Sequence, residues 1–561
     1  MKKNKKLNRD VLSVKEKPEM TQKKHVKNVC KALSGARQEE EADWHKIADF
    51  SGYGDIPSIT KTSNGKSRPK MRQLIDSHPI LSFRTIEGGM YSGLSSPNRP
   101  WLRMAFMDTD LNDYQPGREY LDALTDIILR MFDASNFYQI ARQTYRGMAR
   151  FGTAAGIMTE HWREIAPCMA LPIGTFWIGM DDAFKVDTLA RECPMTVNQL
   201  VKAYVQQKNG DMDWSRVSPT VKNLWDDGKY NQMVKCKQLI EPGMNGKFQS
   251  TMWDEKDDRE DAMLEAKMYN EQNFWAPRWD VFGAALYGRG VGHDAIPDMR
   301  ELALKAKRSQ QLQDRVADPA TYGPAKYLDM RPGAHTYVAD MTQVDTVRPV
   351  YVPLAGSIEV VERKIEELKH CIDRLTYADL FMAITNMPGV QPRNVEELIK
   401  RDEEKLTQIG PVVEMVNDDF LPIAVERMLS IARRGGLLPE APEELQGREL
   451  KIEFISVLAM AQKMLGMSTT ERFVGFVGSL GSVFGEQVLD KVDPDALVDD
   501  YAKRSGVPAH TVRDDEDVEK VRAGRAKAQE MEKAAALAAP AKDAAIAANN
   551  IAEMSNEGER F

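Results

Sequence analysis

Cysteine is scarce in this chain: five in 561 residues, at positions 30, 168, 193, 236 and 371, with no CxxC pair and no even framework. That spacing argues against a disulfide scaffold or a thiolate zinc site and suits a reducing assembly environment. Long apolar runs are missing too. The glycine-rich stretch Phe473 to Gly485 falls short of the roughly 20 residues a membrane span needs, and the tail from Ala534 to Ala548 is cut by Pro540, Lys542 and Asp543. Polar residues follow the basic Met1 to Lys6 where a signal peptide needs an apolar stretch, so no secretion is expected.

Chemistry is equally thin. "SNGKS" at 63 to 67 resembles half a phosphate loop, but Thr60 stands where the first glycine belongs. "GRGVGH" at 288 to 293 begins like a dinucleotide fingerprint and ends in His293 instead of glycine. The eight histidines make no HExxH and no His-Cys cluster, and there is no GxSxG elbow. "DEKDDRED" (Asp254 to Asp261) lacks the glycine and spacing of a calcium loop and reads as a solvated acidic turn. No active site, metal or cofactor is expected.

What is present is a chain long enough for about two to four domains or layers. Its composition, 42% hydrophobic and 29% charged, is that of a folded protein. Charge is unevenly placed. The overall value is −8, but residues 1 to 31 carry 11 Lys and Arg against 3 Asp and Glu, net +8, which leaves the other 530 residues at −16. Such an arm reads first as a solvated tail, with phosphate or partner binding as the sharper alternative. An acidic body argues against a tight grip on nucleic acid.

Along the chain, Ser51 to Lys70 reads as a loop, and Leu121 to Met131 as a helix with Leu121, Leu124, Ile128 and Met131 on one face. "CMALPIGTFWIG" (Cys168 to Gly179) reads as strand and turn, so the first half is α+β and the whole mostly helical. A helix is expected over Asp294 to Asp318, about 37 Å long, with Pro297 in its first turn. Its second half, "KAKRSQQLQDR", is polar nearly all round, as in a helix lining a wet space. After a proline-rich excursion with β-type segments, a second helix is expected behind Ser357. Its Ile358, Val361, Ile365, Leu368, Ile372 and Leu375 form a 3-4 seam that wants a neighbouring helix. "TNMPGVQPR" then breaks the pattern, and a capping box at Asn394 and Glu397 starts a third, long helix to Gly435. Its apolar positions continue across Pro411 and Pro422, so a kinked helix is expected there.

Several stretches, in order, resemble one family. "SNFYQIARQTYRGMARFGTAAG" (Ser135 to Gly156), "PRWDVFGAALYGRG" (Pro277 to Gly290), the run from Arg401 to Pro439, "ISVLAMAQK" (Ile455 to Lys463) and the run from Val492 to Gln529 are similar to the portal, or head-to-tail connector, proteins of short-tailed bacteriophages. Two places depart from the family pattern. Gly290-Val291 stands where Ser-Pro is common after Tyr-Gly-Arg, and Gln391-Pro392-Arg393-Asn394 where a Thr-Ala-Thr-Glu run is usual.

The resemblance implies a ring, typically of twelve subunits, at one capsid vertex of the virion, assembled in the bacterial cytoplasm, through which double-stranded DNA enters and leaves. It implies a basic arm (1–40), a wing (41–293), stem helices (294–318 and 357–384), a clip (319–356), a tunnel loop (385–393), a long helix returning to the wing (394–436), a crown (450–530) and an Ala-rich tail able to extend it (531–561). The tunnel loop would comprise Thr385, Asn386, Met387, Pro388, Gly389, Val390, Gln391 and Arg393. Lys305, Lys307, Arg308, Arg393 and Lys400 would face DNA, and Tyr322, Arg331, His335, Tyr337 and Arg348 would dock partners at the clip. Those partners would be the terminase large subunit, which supplies the ATPase, then tail adaptor proteins. Capsid and scaffolding proteins, and internal core proteins, would contact the ring elsewhere; no membrane is involved. Two other readings stand beside this one: a packaging nuclease or ATPase, which needs a phosphate loop or clustered carboxylates, and a helical scaffold or tether without a channel.

Overall fold

The computed structural model describes residues 22–52, 75–107, 115–161, 163–208, 211–243, 246–259, 263–317, 321–322, 348–349, 355–385, 409–442, 448, 450–455, 473–477, 479, 495–498 and 518–529. The first half mixes helix and strand: α1 (Gln22–Phe50), α2 (His78–Leu94), β1 (Leu102–Phe106), α3 (Gln115–Ala134), α4 (Phe137–Phe151), β2 (Ala155–Met158), β3 (Cys168–Leu171), β4 (Phe176–Met180) and β5 (Val186–Glu192). There follow β6 (Met195–Thr196), α5 (Val197–Tyr204), β7 (Gln206–Lys208), β8 (Asp211–Asp213), α6 (Pro219–Asp226), β9 (Met233–Val234), β10 (Cys236–Pro242), β11 (Phe248–Asp254), β12 (Glu265–Tyr269) and β13 (Phe274–Trp275). The second half is helical apart from short strands: α7 (Val291–Ala317), β14 (Thr321–Tyr322), β15 (Arg348–Pro349), α8 (Ala355–Leu375), α9 (Ala378–Thr385), α10 (409–419), α11 (Leu421–Arg434) and β16 (Leu450–Phe454).

A five-stranded antiparallel sheet, in the order β12-β11-β10-β5-β4, anchors the first half, and a three-stranded sheet, β13-β2-β3, lies beside it in one core. Alternation in β4 and β5 turns Phe176, Ile178 and Leu189 into that core, where they meet Phe151, Ile157, Ile240 and Phe274. A satellite lobe is built on α5 and α6. Thr196 and Gln199 close a reciprocal capping box on α5, Ser218 caps α6, and Val197, Leu200, Val221 and Cys236 fill the space between.

The basic arm is, from Gln22 onward, the helix α1. Its apolar residues recur along one face, so one end buries Val26 and Cys30 against Trp177, Leu239 and Trp253, and the other buries Trp44, Ile47 and Ala48 in the main core. Trp44 meets the Tyr287 ring edge-on at 5.2 Å. Two of the arm's cations are clamps rather than solvated charges. Lys23 Nζ donates to the carbonyls of Asp257 (2.7 Å) and Arg259 (2.6 Å). Arg37 Nη1 donates to those of Gly174 (2.9 Å) and Phe176 (3.0 Å), with its guanidinium 4.7 Å from the Trp177 ring. The supposedly solvated acidic turn is their counterpart: Asp254 and Asp257 are buried, Ser218 donates to Asp254 at 2.7 Å, and Arg259 pairs with Asp257 at 2.8 Å. Arg259, by hydrogen bonds and charge, outweighs burial and holds the Asp257 carboxyl below the usual carboxylate range.

Helix boundaries differ from expectation at three places. α7 begins at Val291, so Pro297 sits inside it, not in its first turn. The expected second stem helix is two: α8 already includes Ser357, and it ends where Tyr377 takes a left-handed φ of 53° before α9. The expected long helix is interrupted at Phe420, and Pro422 is the second residue of α11, where its missing N–H would have no helical partner anyway. Pro411 lies in α10 and the positions before residue 409 lie outside the described residues. Residues 450–454, expected to open the crown, form β16 paired with β1.

The chain divides into two units, the first comprising Met1–Met104, Asp122–Glu440 and Lys451–Gln462, the second Ala105–Leu121, Ala441–Leu450 and Lys463–Phe561. In the second, helical residues 518–529 meet residues 495–498 through Arg522, both of whose terminal nitrogens bond Asp495 at 2.7 Å.

Because Trp44 is 1% exposed and ties the arm to the sheet core, Trp44→Ala should cost about 3–5 kcal/mol. Thermal melts with limited proteolysis should show a lowered midpoint and cleavage in 22–50; an unchanged melt would mean that α1 is not part of the core.

Candidate functional site

α4 ends at Gly152, whose φ of 76° is left-handed and whose N–H bonds the Met148 carbonyl at 2.9 Å. Across it runs the segment that resembled a nucleotide fingerprint. A Cβ on Gly152 would lie 2.0 Å from the Gly288 carbonyl oxygen, one on Gly290 2.5 Å from the Gly152 nitrogen, and one on Gly292 2.1 Å from the Arg150 carbonyl oxygen. No side chain fits such a backbone-to-backbone approach, so the glycines of "GRGVGH" serve packing. Hydrogen bonds from Trp279 N to Gly152 O (2.8 Å) and from Gly288 N to Thr153 Oγ1 (2.8 Å) lock the contact. His293 is buried at the start of α7, where its Nδ1 accepts the Gly290 N–H at 3.1 Å; burial pushes its pKa down.

The break at Phe420 delivers that ring to the same place. It is fully buried, 5.2 Å from Trp275, 5.7 Å from Tyr145 and 5.8 Å from Phe137. Beside it Arg278 approaches Asp419 at 3.7 Å, and burial raises the Asp419 carboxyl above its usual range. Below it α11 carries Arg427 and Arg434, two turns apart on one face. Arg427, 1% exposed, pairs with Glu271 and lies 5.0 Å from the Tyr269 ring; Arg434 pairs with Glu160 (2.9 Å) and Glu271 (3.0 Å). Three of the collinear stretches thus converge on one hub. The i, i+7 arginines were visible in the sequence, but their acidic partners, more than 150 residues away, were not.

From the hub extend α7 and α8, packed side by side, with Gln313 reaching Glu362 at 3.4 Å. Beyond their ends β14 pairs antiparallel with β15, placing Tyr322 opposite Arg348. Of the seam, Ile365, Leu368 and Ile372 are buried within this chain, by α7 and α2, while Ile358, Val361 and Leu375 are half-buried. Asp373 fixes α8 to α2, accepting from Ser82 Oγ at 2.6 Å and lying 3.0 Å from His78 Nε2. α9 continues the contact: the Phe381 ring sits where a Cβ on Gly89 of α2 would be, 2.1 Å away. Lys307 and Arg308 are exposed on α7 and Lys305 is half-buried. Thr385 ends α9. Residues 386–393 with Arg393, and Lys400, Arg331, His335 and Tyr337, lie outside the described residues.

The model of the bacteriophage head-to-tail connecting protein family matches residues 23–512. This chain belongs to that family. A portal protein of Salmonella phage epsilon15 is 30% identical over 531 residues, covering 92% of this chain and 93% of that protein. A probable portal protein of Bordetella phage BPP-1 is 28% identical over 537 residues, covering 92% and 94%. The connector match begins at Lys23, the first clamp of α1, so the helix that looked like an arm lies within the family's span.

In this connector, removing one partner of a buried ion pair leaves the other charge stranded, at about 3–5 kcal/mol. Glu271→Ala should therefore lower the thermal midpoint sharply, and Glu160→Ala, whose side chain is 44% exposed, by much less. Equal effects in calorimetry would contradict the assigned network.

Proposed function

We propose that this connector is a portal: a ring, twelve subunits in our reading, at one capsid vertex, through which double-stranded DNA is packaged and ejected. The terminase docks first at the β14–β15 end and tail adaptors later. The observation that carries this is the near full-length, collinear similarity to phage portal proteins. The form of the helical half supports it. α7 and α8 lean on each other through apolar seams, and the far half of α7 leaves Lys307, Arg308, Gln310, Gln311, Gln313, Asp314 and Arg315 exposed. A helix of that kind borders water and phosphate without gripping either, which translocation requires, since each tight contact is a barrier to movement. Arg393 and Lys400 at the tunnel loop are the other contacts in this reading.

Purified protein viewed end-on by electron microscopy should show hollow rings; monodisperse monomers at micromolar concentration would remove the channel. Each phosphate neutralised contributes about −0.9 to the slope of log affinity against log salt. Replacing Lys305 and Arg308 by Gln should therefore leave rings intact and make duplex DNA binding less steep by about 1.8. An unchanged slope would take both residues off the DNA path.

A further inference from the structure

Asp280 to Leu286 leave the hub as a loop whose side chains after Asp280 are all apolar: Val281, Phe282, Ala284, Ala285 and Leu286 around Gly283. Phe282 is 93% exposed, the most exposed large hydrophobic among the described residues. The loop is pinned. Arg289 N donates to the Asp280 carbonyl at 2.8 Å across its base, Ala285 N to that of Phe282 at 3.2 Å across its tip, and Gly283 supplies the left-handed φ of 60°. Buried Trp279 and Tyr287 hold its two ends. An aromatic ring held out in water by an ordered loop marks a contact surface, and the ordering removes part of the entropy that binding would otherwise cost.

The second surface lies on α7. At about 100° per residue, Val291, Ala295, Met299, Leu302 and Ser309 share the buried face, and Pro297, Arg300, Leu304 and Lys307 lie on the other side. There α7, Phe50 at the end of α1, and Ile75 border a cleft of about 570 Å³, within the range of small-ligand pockets. Leu304 and Ile75 are 47% and 40% exposed in it. Phe282, being almost wholly exposed, does not occupy the cleft of its own chain.

We propose that the Phe282 loop of each subunit seats in the α7 cleft of the next copy of this chain, an inference that rests on the ring reading above. A closed ring of identical subunits needs a head-to-tail contact, with one patch on each flank that differ from and complement each other. A self-complementary patch closes a two-fold dimer instead. This chain carries such a pair: one apolar projection and one apolar recess, mounted on the same segment, since the loop leads within five residues into α7.

The test uses two single variants of the full chain, Phe282→Asp and Leu304→Asp, each at an exposed position where a carboxylate meets water in the monomer. In sedimentation velocity the parent runs as a ring and each variant alone as a monomer. An equimolar mixture runs as a dimer, because one variant keeps an intact cleft and the other an intact loop. Rings from either variant alone, or a mixture that stays monomeric, overturn the proposal while leaving the ring itself in place. A monomeric parent overturns both. Should either variant fail to fold by circular dichroism, the pair Phe282→Cys and Leu304→Cys, with the exposed Cys371 changed to Ser, decides. Mild oxidation then gives a ladder of linked subunits, and monomers alone refute the contact.

Discussion

The architecture depends on one close approach, that of the backbone at Gly152 to the backbone from Gly288 to Gly292. It joins the last turn of a wing helix to the first turn of the helix that leaves the wing, and both the projecting loop and α7 take their direction from it. A methyl group at any of these positions would separate the two segments and reorient everything downstream, because α7 carries α8 and, through α2, α9. The interlocking hydrogen bonds at Trp279 and Gly288 make the junction directional as well as close. A connector that must transmit force between a capsid wall and a channel gains from a joint made of main chain, which has few soft dihedrals left to move.

Charge is used sparingly and locally. The cations that matter for folding, Lys23, Arg37, Arg278 and Arg427, are directed at carbonyls or single carboxylates within the wing, which fits a body that is acidic overall but not self-repelling at its core. The cations left exposed lie mostly on the far half of α7. That division lets the same residue types clamp the wing where they are desolvated and touch phosphate weakly where they are hydrated.

Much of the fold was legible from periodicity. The helix around Leu121 to Met131, the strand pair at Cys168 to Met180, the polar second half of α7 and the seam of α8 follow from side-chain spacing alone, because 3.6- and 2-residue repeats are properties of the local chain. The family was legible too, since the matching stretches are collinear and specific. The candidate site was legible only in part. Phe282 stood within a quoted motif, but nothing in its neighbours announced that it would be held in solvent, and the cleft on α7 combines residues from three places in the chain.

Local sequence by itself determined which segments would be helical, which face of each would be apolar, and the order of the connector's parts. Tertiary structure decided where those helices stop and what the charged residues do. Pro422 breaks no helix, because the Phe420 ring is drawn out of register into a pocket formed by Trp275, Tyr145 and Phe137, residues at least 145 positions earlier. Lys23 and Arg37 look like a solvated arm until the sheet supplies carbonyls at 2.6 to 3.0 Å. The physical reason is the same in each case. Helix and strand periods are written in near neighbours, whereas desolvation, close backbone approach and charge pairing depend on partners that only folding brings within a few ångströms.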